Sequence, residues 1–145
     1  LLVMVGGEAE AVERCRPVLE TFANPLLHLG PLGSGQLAKL TNNLVFTVQV
    51  GIAIETLALA DELDIDRAAL AQVLASGSGG STAMAVLGMS GFDFTGLSGA
   101  APLLRKDVDL VLDVVGLRGA ARPDLLAELA DRTISRLSGA RPTET

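Results

Sequence analysis

Aromatic side chains are almost missing from this chain, which has no tryptophan, no tyrosine and an aromatic share of 3%. Seventeen acidic residues stand against eleven basic ones, a net charge of -6. Without rings to stack bases or clustered cations to meet phosphates, no nucleic-acid partner is expected. Cysteine occurs once, at Cys15, which excludes an intrachain disulfide and favours a reducing, cytoplasmic setting in which Cys15 serves packing. Histidine also occurs once, so Cys15 has no neighbouring Cys or His with metal-ligand spacing, and His28, at a strand end before a glycine turn, is expected to be structural. Leu1 to Val5 lacks the basic flank and small-residue cleavage site of a signal peptide and reads as a strand. The longest apolar run, Leu44 to Ala60, is interrupted by Gln49 and Glu55 before the roughly 18 residues of a membrane span accumulate. It reads as a helix buried in protein, with no membrane partner. Ser34, Ser78 and Ser81 lack the neighbouring base that would make a nucleophile, so capping and loop roles are expected and hydrolase chemistry has no support.

Apolar residues make up 49% and charged residues 19% of the 145, enough for a folded core built from Leu, Val, Ile and Ala. The run Leu1 to Val5, closed by Gly6-Gly7, predicts a strand covered on both faces. Val12, Cys15, Leu19 and Phe22 then recur at helical steps over 8–22, with Pro17 expected to bend or disrupt the helix. Leu26 to Leu29 completes a β-α-β unit of the kind found in parallel sheets, and two strands are too few to bury both faces. After a glycine turn, Ser34 is a plausible N-cap for an unusually long helix from Gln36 to about Leu63. Asp66 can cap a helix over 67–75, and Ser81 one running to Leu87. Residues 91–99 read as irregular, 101–115 as helix, and Pro123 as the first position of a last helix to Leu137. Residues 139–145 read as a frayed tail.

The stretch Gly30-Pro31-Leu32-Gly33-Ser34-Gly35-Gln36-Leu37-Ala38-Lys39-Leu40-Thr41-Asn42-Asn43 carries the most chemistry. Lys39 and Asn43, four apart, share one helical face, so that a proton donor and an orienting amide can meet one small ligand. On spacing alone the glycines equally serve a tight strand-to-helix turn, and Lys39 is equally a solvated lysine. Asn43 opens a strongly apolar helix, where an amide needs a partner or a cleft.

The pattern Gly30-x-x-Gly33-x-Gly35-x-x-x-Lys39-x-x-x-Asn43 resembles the catalytic motif of the β-hydroxyacid dehydrogenases, the superfamily of 3-hydroxyisobutyrate and 6-phosphogluconate dehydrogenases. Val3 to Gly7 with Pro17-Val18-Leu19 is similar to the last β-α-β of that family's Rossmann domain. Gly51 with Glu55 to Ala60, the loop Gly77 to Ser81, and Leu103-x-x-Lys106-Asp107-Val108 resemble further family segments in order. The resemblance implies a mainly α fold: a β-α-β remnant of an NAD(P)-binding Rossmann domain over 1–34, then a long connecting helix and all-α domain over 35–138. It implies Lys39 as general acid/base, Gly33, Gly35 and Asn43 at the substrate, and Lys106 at the cofactor, with Asp107 fixing its helix. It also implies NAD or NADP as cofactor, a short hydroxyacid as substrate, and a homodimer formed through the helical domain. No Gly-x-Gly-x-x-Gly occurs in these residues, so the main cofactor motif is expected N-terminal to Leu1 and the chain alone is expected to be inactive. Asn42 and Phe46 stand where the decarboxylating branch has histidine and glutamate, which favours simple oxidation or reduction; the imine-reductase branch usually lacks the lysine. The rival reading is a non-catalytic helical dimerisation or binding module that retains the motif.

Overall fold

The structure, a computed structural model, describes residues 1–139. Of the expected tail at 139–145, residues 140–145 lie outside the described residues. The chain forms two compact units, one over Leu1–Asn42 and one from Asn43 on, the division falling inside a helix.

The first unit is the expected β-α-β turn leading into a helix. Strands β1 (Val3–Val5) and β2 (Leu26–His28) pair in parallel, with Val3 opposite Leu26 and Val5 opposite His28. Both are shorter than the apolar runs suggest, and β1 is only half-buried instead of covered on both faces. A two-stranded ribbon has too little width to cover itself, so Leu1, Leu2, Leu27 and Leu29 stay exposed. Helix α1 (Ala9–Leu19) buries only Val12 of its expected stripe. Cys15 and Phe22 are exposed, so the packing role read for Cys15 does not hold; the narrow ribbon leaves them nothing to pack on. Pro17 does not break α1. It stands in the last turn, where the missing N–H forfeits one bond, while Glu20 N–H still reaches the Arg16 carbonyl at 2.9 Å. Arg16 also bonds Glu13 at 2.7 Å and Glu20 at 3.1 Å across that turn.

Helix α2 (Ser34–Glu62) starts in the first unit and ends in the second. Its 29 residues span about 44 Å. Ser34 is its first helical residue rather than its cap; Gly33 precedes it and accepts the Leu37 N–H at 3.0 Å. By length and apolar composition α2 matches a membrane span, yet 44% of its apolar window is buried in protein.

The second unit is all-α. It comprises the rest of α2, then α3 (Arg67–Ser76), α4 (Thr82–Met89), a 3-10 turn over Thr95–Ala100, α5 (Ala101–Leu117) and α6 (Asp124–Leu137). Asp66 caps α3 by accepting the Ala69 N–H at 2.8 Å, and Ser81 caps α4 through the Met84 N–H at 3.2 Å, both as the sequence predicts. Pro123 takes the N-cap position of α6 instead of the first helical one. Aliphatic side chains supply the core: Leu44, Ile54 and Leu57 of α2, Leu87 of α4, Val108 of α5 and Ile134 of α6 are each at most 4% exposed. Arg136 of α6 pairs with Glu55 of α2, and Arg105 of α5 with Asp131 of α6.

Candidate active site

The glycine turn follows β2 and is shaped by two different demands. Gly30 and Gly33 adopt φ of 116° and 93°, values that side chains with a Cβ rarely reach. Gly35 is helical and buried; a Cβ there would lie 2.5 Å from the Met4 carbonyl oxygen. Gly6 is the reciprocal case, with a Cβ reaching 2.5 Å from the Pro31 oxygen and 2.8 Å from the Ser34 nitrogen. Paired glycines thus seat the first turn of α2 against the carboxyl end of β1, the edge where open α/β sheets place their ligands. His28 ties the two turns together, its Nε2–H shared between the carbonyls of Gly7 at 2.8 Å and Gly30 at 3.1 Å. That is a structural role.

Lys39 lies on the α2 segment that belongs to the first unit. It is exposed and makes no hydrogen bond or ion pair among the described residues. Asn42 is exposed as well. Asn43, one helical turn beyond Lys39 along α2, opens the second unit and is half-buried. Its amide donates Nδ2–H to Asp107 Oδ2 of α5 at 2.6 Å. Asp107 is 8% exposed, and its other oxygen stands 3.1 Å from the ammonium of Lys106, a side chain 62% exposed. Within the second unit the structure therefore brings Asn43 together with the adjacent pair Lys106 and Asp107, Asp107 lying 64 residues from Asn43 in sequence.

Arg105, the residue before Lys106, bonds Asp131, and this contact holds its guanidinium above the usual pKa. This turn of α5 is thereby fixed to α6. A groove of about 760 Å³ lies elsewhere, between α3 and α4, lined by Gln72, Met84 and Phe92 among others, and none of the predicted site residues borders it. Its walls carry no charge.

The Asn43–Asp107 bond is what sequence reading missed. The signal was present: Asp107 falls on the apolar stripe of Ala101, Val108 and Val111, where a carboxylate requires a partner. Nothing in local spacing named that partner.

The parallel β-α-β unit and the all-α body match the architecture that the motif resemblance implies. Residues 33–140 match the family profile described as the NAD-binding domain of NADP-dependent 3-hydroxyisobutyrate dehydrogenase. The chain belongs to this 3-hydroxyisobutyrate dehydrogenase family. A probable 3-hydroxyisobutyrate dehydrogenase of Mycobacterium tuberculosis is 35% identical over 133 residues, covering 85% of this chain and 45% of that protein. An NAD-dependent L-serine dehydrogenase of Pseudomonas aeruginosa is 40% identical over 87 residues, covering 59% of this chain and 29% of that protein. Among solved structures, the Mycobacterium tuberculosis 3-hydroxyisobutyrate dehydrogenase with L-serine superposes with a TM-score of 0.72 at 30% identity, covering 92% of this chain and 48% of that one. The chain thus spans less than half the length of these relatives.

Proposed function

We propose that this chain is the C-terminal portion of an NAD(P)-dependent dehydrogenase that interconverts a short β-hydroxyacid and its semialdehyde or keto form. The observation that carries this reading is the Lys39-x-x-x-Asn43 pair on α2, directly after the glycine turn, in a chain of this family. L-Serine and 3-hydroxyisobutyrate, named in the relatives' descriptions, are the first substrates to try. Bound NAD or NADP would supply the hydride chemistry at the substrate carbon. Lys39 Nζ removes the hydroxyl proton during oxidation and gives it back during reduction. Oxidation needs Lys39 to receive that proton as a neutral amine. Asn43 holds the substrate oxygen, and Gly33 and Gly35 admit the substrate close to the backbone of the turn.

For the cofactor, these residues fit one part. The Lys106 ammonium, largely exposed beside Asp107, suits a phosphate or ribose contact. No Gly-x-Gly-x-x-Gly occurs in these 145 residues. The chain alone is therefore expected to bind NADH or NADPH weakly and to lack turnover. A reducing, cytoplasmic setting suits the free, exposed thiol of Cys15.

A second reading, a non-catalytic dimerisation module, draws on the exposed Lys39 and on the apolar residues Val45, Ile52 and Leu59, exposed at seven-residue intervals along α2. Lys39→Ala in the full-length protein separates the two. General acid/base catalysis predicts a fall in kcat of about 10² to 10⁴ with the hydroxyacid at unchanged folding. Unaltered turnover would remove Lys39 from the reaction.

A further inference from the structure

Asp107 is the one acid on the buried side of α5. A lone carboxylate there would lose hydration without return, but this one accepts the Asn43 Nδ2–H at 2.6 Å and faces Lys106 Nζ at 3.1 Å. A carboxylate can only accept, so the edge of the Asn43 amide turned toward α5 must be its nitrogen. The amide oxygen is then turned away from Asp107. An asparagine free to flip would offer either edge to a ligand, whereas this one is locked. The lock is stiff at both ends: Asn43 sits in the continuous helix α2, where its carbonyl accepts the Thr47 hydroxyl at 2.7 Å, and α5 is fixed to α6 through Arg105 and Asp131.

We propose that Asp107 is a positioning residue: by accepting one Nδ2–H it holds the Asn43 amide in a single orientation for the substrate. This deepens the dehydrogenase reading and rests on it for the identity of the ligand.

Two measurements test this. In the 145-residue chain, the side-chain amide protons of Asn43, followed by NMR with Asn42 as internal reference, should exchange with water at least tenfold more slowly than those of Asn42. Exchange as fast as that of Asn42 would overturn the lock. In the full-length protein, Asp107→Ala and Asn43→Ala should each raise KM for the hydroxyacid about tenfold. The double variant should be no worse than either single one, because Asp107 acts through Asn43. Asp107→Asn, whose side-chain carbonyl can accept the same N–H, should recover most of the loss and supports the decision if Asp107→Ala folds poorly. Additive losses would overturn the proposal. Absence of hydroxyacid turnover in the unmodified protein would sink the dehydrogenase reading, and the amide exchange would still decide the lock.

Discussion

Gly51 sits midway along α2, where glycine costs about 1 kcal/mol relative to alanine in helix propensity. A Cβ at this position would lie 2.0 Å from Thr133 Oγ1 and 3.2 Å from Thr133 Cβ, so the residue is what lets α6 come this close to α2. Thr133 cannot swing aside freely, being 4% exposed with its hydroxyl bonded to the Leu129 carbonyl at 2.8 Å. Gly51→Ala should therefore destabilise the fold by about 1–3 kcal/mol, the overpacking cost outweighing the propensity gain. Thr133→Ala in the same chain should return part of the loss. Urea or thermal unfolding measures both, and a Gly51→Ala chain at least as stable as the parent would refute the close crossing. Sequence reading names Gly51 only within a family-like segment of the long helix and not its contact, because its partner lies on another element. The same blindness hid the Asn43–Asp107 bond, whose ends are 64 residues apart. What the sequence did expose at this scale were positions with a local demand: the caps Asp66 and Ser81, and the glycines of the turn.

Element by element, the order of strands and helices was legible because hydrophobic period is local. The ends were less so. Gly33 rather than Ser34 precedes α2, and Pro123 caps α6, shifts of one residue that periodicity does not resolve. The stretch 91–99, read as irregular, includes most of a 3-10 turn whose start is organised by a side chain: Asp93 accepts the Thr95 backbone N–H at 2.8 Å and the Thr95 hydroxyl at 2.7 Å. These bonds, the hydroxyl's first and the backbone's second, hold the Asp93 carboxyl below its ordinary value. A group whose folded pKa is depressed stabilises the fold above its unfolded pKa and loses that contribution as pH falls through the folded value. The turn should accordingly be most ordered above the ordinary carboxylate range and loosen as acid is added below it. Thr95→Val, which removes the larger cause, should move the Asp93 titration upward, as carboxyl ¹³C shifts followed against pH would show. An unmoved titration would mean that the backbone N–H alone sets the value.

At the scale of the whole molecule, the question is what covers α2. Val45, Ile52 and Leu59 recur every seven residues and are 38%, 55% and 56% exposed, a straight apolar stripe on a helix whose other side fills the core of the second unit. The proposed homodimer through the helical domain gives that stripe an occupant of the same kind. Burying such a side chain is worth about 1.5–3 kcal/mol, which corresponds to a tenfold or greater change in Kd for each position lost. Ile52→Glu and Leu59→Glu should therefore shift the protein from dimer to monomer in sedimentation at micromolar concentration, and helical content by circular dichroism should stay the same because both positions face outward. Net charge gives an independent check. Two copies at -6 each repel, and raising salt from about 0.01 M to 0.15 M shortens the screening length from about 30 Å to about 8 Å. An apolar dimer between like-charged copies should tighten over that range, whereas one held by ion pairs should weaken. Sedimentation as a monomer at every salt concentration, with Ile52→Glu indistinguishable from the parent, would leave the stripe to some other partner and withdraw the dimer.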